Sequence, residues 1–536
     1  MRDTAALAVF LIGIACASTS AWAAGSDQVV KLRRLSEQEY RNSIADIFGK
    51  DIAVQGMFEP QIRISGLVAT STAVLSVTPA GYESFSKMAD SIALQVTDEA
   101  HRGRLVSCHP KSSKAPDDAC AAEFFSHYGL MLFRRPLTAN ERQARITLAR
   151  AMTRSSGDFY EGLRYGLAQM LQSPNFLFRK ESAIQAGKAL RLEPYSRATR
   201  LSYFMWDTTP DTELLHAAQS GELNTVAGLD KQVDRLLASP RLEAGMRAFF
   251  ADMLELDTFD TVSKDSLIFP KWSAAMASSA REETLRGAID LTLRQNGDLR
   301  DLMTTRKTFI NRNLAAIYDV DFSFDAEWMP HEFSPDSGRS GIVTQVSMLS
   351  MFSHPGQSSP TKRGVALMDI FLCEPTPTPP ANVDFSAIND TSGPLKTVRE
   401  RLMAHATTPA CASCHTHSDP IGLSLEGFDT IGGRRLTENG QPIDLSATLQ
   451  GKTFRDGPGL GRYLHDNPRF PACMARKFYA YAKGLDTEEV DASTFKAAYQ
   501  AFADSGYRMR TLIKGLVESP EFFDAPAAIK QVSARQ

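Results

Sequence analysis

Past its N-terminal segment, the chain lacks any apolar run of the roughly 20 residues that a bilayer-spanning helix needs. It also lacks an excess of one charge: 59 basic residues face 62 acidic ones, a formal net charge of −3. No block of lysine and arginine stands out, which argues against a nucleic-acid partner or an anionic membrane surface. Cysteine is sparse, at 7 in 536 residues, so this is no disulfide scaffold. There is no H-E-x-x-H, no G-x-S-x-G and no P-loop, which removes zincins, α/β-hydrolases and P-loop NTPases. What is present is ordinary globular composition, 43% hydrophobic and 23% charged, which excludes a disordered or collagenous chain. The length suggests about three or four structural units, large enough to bury their own cores.

The first residues, Met1-Arg2-Asp3, lead into an apolar run from Ala5 to Ala17. Ser18-Thr19-Ser20 and Ala21-Trp22-Ala23-Ala24 follow. A charged start, a short apolar core and an Ala-x-Ala site predict a secretory leader over residues 1–23. Cys16 after Gly13-Ile14-Ala15 offers a lipid anchor as the lesser alternative. The expected setting is therefore exported, periplasmic and oxidising.

Cysteine placement carries most of the functional information. Cys411-Ala412-Ser413-Cys414-His415 is a C-x-x-C-H string, the attachment sequence of c-type haem. Two thiols can form thioethers to the haem while the adjacent imidazole reaches the iron, all from one short helical segment. Haem attachment takes place outside the cytoplasm, so the leader and the motif support each other. A zinc site built from Cys411, Cys414, His415 and His417 would crowd its ligands. A thioredoxin-like pair would want a preceding strand, whereas Thr407-Thr408-Pro409-Ala410 follows a helical pattern. Four cysteines remain outside the motif and Cys16, and four allow three pairings. Cys108 and Cys120 flank a polar loop and could close it, which leaves Cys373 for Cys473. Free buried thiols are the alternative.

Helical signals dominate the rest. Ser36 with Glu39 and Thr138 with Glu141 read as capping boxes. Ser239-Pro240 reads as a helix start before Leu242, Met246, Phe249, Phe250, Met253 and Leu254. Tyr203, Phe204 and Trp206 read as core. Glu374 to Pro380 reads as an extended polyproline spacer. Asn439-Gly440 between short polar segments predicts a β-hairpin, and Gly451 to Gly461 reads as loop.

Cys411 to His415, then Asp419-Pro420-Ile421-Gly422, Leu425-Glu426-Gly427-Phe428-Asp429 and Gly432-Gly433-Arg434-Arg435, resemble the planctomycete-type cytochrome c domain family. These are exported proteins of consecutive domains of unknown function. Further matching segments run in order along the chain. They are Glu39-Tyr40-Arg41-Asn42, Phe133 to Thr138, Arg200 to Trp206, Ser358 to Gly364, and Tyr479 to Gly484 with Ser505 to Pro520. The chain departs from the family pattern at Ser418, where an apolar residue is usual, and at Gln357 and Ser358, where Arg and Thr are usual.

The expected fold is mainly α. Multi-helical N-terminal domains precede a cytochrome c-like haem domain with a small β-hairpin, and a helical C-terminal domain follows. The expected units are a leader over 1–23 and helical domains over 28–100, 120–185 and 190–320. A haem domain over 338–436, a hairpin connection over 437–470 and a C-terminal domain over 471–525 complete the order. One covalent haem c is the expected cofactor, held by Cys411 and Cys414 with His415 as proximal ligand. A backbone carbonyl near Asp419-Pro420 is the expected acceptor for the other His415 nitrogen. For the opposite face the candidates are Met403, His405, His417, His465, Met474 and His354, with His405 preferred. Arg434 and Arg435 are candidate propionate partners. Electron transfer to a redox partner protein is the leading reading. A haem oxidoreductase with an open iron site, or a binding scaffold serving a partner, are the alternatives.

Overall fold

The computed structural model describes residues 28–525, apart from 75, 187–188, 324, 377–392 and 408. The expected leader, Cys16 and most of the Glu374–Pro380 spacer lie outside the described residues. The fold is mainly α, with four small antiparallel sheets among the described residues. None of the described helices is long and apolar enough to cross a membrane.

Strand β1 (Gln28–Arg34) pairs with β2 (Phe178–Ala186), and β2 pairs with β3 (Ala189–Leu192). The chain's last described residues join the same edge, since Leu192 N–H donates to the Phe523 carbonyl. This sheet therefore ties the start, the middle and the end of the chain together. Beside it, Lys31 Nζ donates to the carbonyls of Lys483 and Gly484, and Arg33 donates to those of Tyr481 and Ala482.

The N-terminal helices form one core. Helix α1 (Glu37–Phe48) starts at the Ser36–Glu39 capping box, and α2 is Pro79–Thr97. Helix α3 (Asp118–Phe133), α4 (Ala139–Ser156) and α5 (Phe159–Leu171) follow, with Thr138 and Glu141 forming the second capping box. Their aromatic rings, including Tyr40, Phe85, Phe124 and Phe125, are fully or almost fully buried. The Cys108–Cys120 disulfide closes the loop before α3.

A second, larger core runs from α6 (Pro194–Trp206) to the C terminus. Tyr203, Phe204 and Trp206 are core residues. Helix α7 spans Leu242–Met253 and does not begin at Ser239-Pro240. Ser239 instead ends the preceding helix, and its hydroxyl accepts from Arg241 N–H. Helix α8 is Ala274–Ile289, followed by the β4 (Lys307–Ile310) and β5 (Met329–Glu332) pair.

Helices α9 (Pro360–Leu372), α10 (Val398–His405) and α11 (Pro409–Leu423) carry the C-x-x-C-H region. Two hairpins come next, β6 (Thr437–Glu438) with β7 (Gln441–Pro442), and β8 (Ala447–Leu449) with β9 (Lys452–Phe454). The first turns through Asn439 (φ 47°) and Gly440 (φ 80°), the paired left-handed geometry that favours Asn-Gly. Gln450 (φ 50°) and Gly451 (φ 76°) repeat it in the second. The Gly451–Gly461 stretch is thus not loop but β9 and the first half of α12 (Gly457–His465). Its glycines permit close packing rather than flexibility: a Cβ on Gly461 would lie 2.2 Å from the Met303 carbonyl oxygen. Helix α13 (Arg469–Lys483) and α14 (Met509–Glu518) complete the fold. The Cys373–Cys473 disulfide joins the end of α9 to α13, across 100 residues that include the C-x-x-C-H motif.

Candidate haem-attachment site

Helices α9 and α11 touch backbone to backbone. A Cβ on Gly364 would fall 1.9 Å from the Ser418 carbonyl oxygen, and one on Gly422 would fall 1.8 Å from that of Pro360. No side chain of any size fits at either crossing point. Arg363, 1% exposed, locks the loop after α11 onto this pair. Its guanidinium donates to the carbonyls of Leu349, Leu425, Phe428 and Asp429 and lies 3.4 Å from Glu426 Oε1. Burial lowers the Arg363 pKa to about 10 and lifts the Glu426 carboxyl above its usual range, against the pull of Arg363 and Arg435.

This scaffold holds the motif helix. Cys411, Cys414 and His415 share α11, with Cys414 and His415 half-buried. His415 Nδ1 lies 2.8 Å from Asp419 Oδ2. The acceptor is thus a carboxylate one helical turn on, and not the backbone carbonyl expected. The i,i+4 spacing places the two side chains on one face of the helix. Thr361 of α9 donates to the other oxygen, Asp419 Oδ1, at 2.9 Å. The hydrogen bond that His415 donates to Asp419 raises the His415 pKa, against the opposing effect of burial. Pro420 interrupts the amide ladder in the last turns of α11, so the helix ends soon after Asp419.

The His405 ring packs edge-to-face on His415, with centroids 5.3 Å apart. Helix α10 reaches the body of the protein through a small cluster of Val398, Leu402 and Leu423. The other candidate axial residues lie in different settings. Met403 is 67% exposed. His417 is exposed and its ring nitrogen lies 3.2 Å from Thr416 Oγ1. His465 pairs with Asp466 and Asp301, and Met474 is buried in the main core. His354 is half-buried, 3.4 Å from Lys362 Nζ, and its pKa is lowered by burial, Lys362 and Lys264.

A small cleft of about 50 Å³ is bordered by His354, Thr361, Arg401, Leu402 and Arg435. Arg435 donates to Ser358 Oγ at 2.8 Å and pairs with the Glu426 carboxylate. Arg434 points elsewhere: it is exposed and donates to the Asp336 carbonyl at 2.8 Å. Sequence reasoning missed Asp419, Thr361 and the Arg363–Glu426 pair. The His-x-x-x-Asp spacing within a helix was the available signal for the first; nothing local pointed to the others.

The donor set suits a c-type haem. One helix offers thiol-bearing positions and an imidazole whose Nδ1 is occupied, which leaves Nε2 for a metal. A second imidazole faces it from α10.

Five domain-family models match the chain in tandem, each described as a protein of unknown function. They are DUF1587 at residues 33–98, DUF1595 at 120–181, DUF1592 at 192–320, DUF1588 at 339–438 and DUF1585 at 450–522. The helices α9 to α11 fall within the DUF1588 match. No curated protein and no solved structure matches the chain. The chain therefore matches these five domain types of unknown function in tandem.

Proposed function

We propose that this chain is an exported, periplasmic mono-haem c-type protein that transfers electrons to a partner within a larger oxidative system. The observation that carries the reading is the C-x-x-C-H helix with its His415 ring fixed by Asp419 and packed edge-to-face by His405. Cys411 and Cys414 would hold the haem through thioethers, and His415, with His405 as the second candidate, would ligate its iron. The haem, when bound, supplies a one-electron couple. The protein's part is orientation. Asp419, itself held by Thr361, fixes the His415 ring and makes it a more basic ligand. A basic His/His ligand set favours a lower potential than His/Met. The two disulfides and the C-x-x-C-H motif both suit an oxidising compartment.

A haem-dependent oxidoreductase is the second reading. The cleft bordered by His354, Thr361 and Arg435 favours it, because a small substrate could reach the site there.

The test is an optical spectrum of the mature protein from a host that attaches c-type haem, taken oxidised, reduced, and reduced with carbon monoxide. Electron transfer predicts a low-spin spectrum that carbon monoxide leaves unchanged. His405→Ala should then become high-spin and bind carbon monoxide. A high-spin wild type would favour the oxidoreductase, and absence of covalent haem would overturn both readings.

A further inference from the structure

Far from residues 339–438 in the chain, the N-terminal and C-terminal portions border a cleft of about 170 Å³. Residues of β1, α1, β2, α6, α7 and α13 border it. It shares Gln38, Asp207, Ala248, Ala251 and Arg281 with a second, wider cleft of about 710 Å³, so the two adjoin. The smaller volume compares with the roughly 150 Å³ cavity that holds a single benzene ring.

The polar groups on its wall are unusually uncommitted. Arg179 is 5% exposed, yet its Nε has no hydrogen-bond acceptor. Its guanidinium meets Glu39 at 3.2 Å and lies over the Tyr203 ring at 5.1 Å. Arg281, half-buried on α8, has no hydrogen bond or ion pair to a described residue. Tyr481 is 9% exposed, and its hydroxyl donates to no described residue. Of the acids on the wall, Asp252 is taken by Arg63 and by the Val68 and Ala69 amides, and Asp257 by Arg63. Glu39 is shared between Arg179 and the Ser36 amide. Asp207, 3% exposed, accepts one bond from Asn42. Burial and the neighbouring Glu39 push its carboxyl well above its usual value.

The spare groups are therefore N–H and O–H donors with a net positive charge, and the spare acceptors are few. Between them the wall is apolar, made of Val68, Ala69, Phe204, Ala248, Ala251 and Ala482. A donor-rich, cationic end beside small apolar side chains and aromatic edges fits an acid with a ring or hydrocarbon body. A guanidinium matches a carboxylate in two parallel hydrogen bonds.

We propose that this cleft is a binding site for a small organic carboxylate with an apolar body, with Arg281 as its main anchor. It is separate from the proposed haem site, since no bordering residue comes from 339–438. The proposal does not depend on haem attachment.

The test is calorimetric titration of the full-length mature protein with benzoate and cyclohexanecarboxylate. Benzamide and inorganic phosphate serve as the neutral and non-carboxylate controls. At least one acid should bind with a stoichiometry of one, while benzamide and phosphate bind at least tenfold more weakly. Arg281→Gln should weaken the acid at least tenfold without changing the thermal midpoint, because Arg281 supports no other residue. Tyr481→Phe, which keeps the ring, should weaken it a few-fold. Exposed Arg294→Gln should change nothing. The proposal is overturned if neither acid binds, if Arg281→Gln binds as well as wild type, or if phosphate or benzamide binds equally.

Discussion

The backbone contact between α9 and α11 makes a sharp prediction at two glycines. Gly422→Ala places a methyl group 1.8 Å from the Pro360 carbonyl oxygen, and Gly364→Ala places one 1.9 Å from that of Ser418. Both obstacles are backbone atoms inside helix pairs, so no side chain can rotate away. The helices must separate by more than an ångström. Overpacking of this kind costs about 1–3 kcal/mol. Separation also lengthens the Thr361–Asp419 hydrogen bond, now 2.9 Å. A hydrogen bond to a charged group contributes about 1.5–3 kcal/mol, so either variant should lose about 2.5–6 kcal/mol in total. Gly103→Ala is the matched control, since Gly103 lies in a short helix with nothing within 4 Å of its added Cβ. It should stay within about 0.5 kcal/mol of wild type or gain slightly. The assay is urea unfolding of the disulfide-intact protein followed by far-ultraviolet circular dichroism. If Gly422→Ala unfolds at the same urea concentration as Gly103→Ala, the close crossing is wrong, and with it the placement of His415.

Three further outcomes follow from buried groups and cross-links. Arg363→Met should cost about 3–5 kcal/mol because it unpairs the buried Leu349, Leu425, Phe428 and Asp429 carbonyls and leaves Glu426 only Arg435 as its cation, and adding Glu426→Gln should restore part of the loss; urea midpoints of the single and double variants check this. Glu283 is fully buried, accepts from Tyr318 and Thr308 hydroxyls, and has its pKa raised by burial to about 7. It keeps its proton in the folded state through pH values where the unfolded chain has lost it. Its contribution should therefore be level below the unfolded value near 4.5, fall as pH rises toward about 7, and flatten beyond, a loss of up to about 3 kcal/mol. Glu283→Gln should remove that slope, and equal slopes between pH 5 and 8 would refute it. Replacing both Cys373 and Cys473 by serine opens a loop of 100 residues and should cost about 4–5 kcal/mol, against about 3 for Cys108 and Cys120 with a separation of 12. An equal or reversed order in urea unfolding would count against the chain-entropy reasoning.

Local signals were legible wherever the chemistry is local. The capping boxes at Ser36 and Thr138 need only residues three apart, and both form. The Asn439-Gly440 turn needs two left-handed residues, and both are there. Reading failed where a local sign had a distant cause. Ser239-Pro240 looked like a helix start, but the packing of α7 sets in only at Leu242. Glycines at 451–461 looked like loop, but they serve a hairpin turn and the approach of α12 to Met303.

The sequence by itself determined the helical class, the order of its units, the hairpin and the C-x-x-C-H segment, because each rests on periodicity, turn chemistry or spacing along a few residues. Only the tertiary structure decided that His405 faces His415, that Asp419 is held by Thr361, and that Arg179, Arg281 and Tyr481 meet around one cleft. Those groups come from segments tens to hundreds of residues apart. Their meeting depends on glycine-thin helix contacts, buried guanidinium bonds and a sheet that joins both ends of the chain, none of which leaves a periodic mark in the sequence.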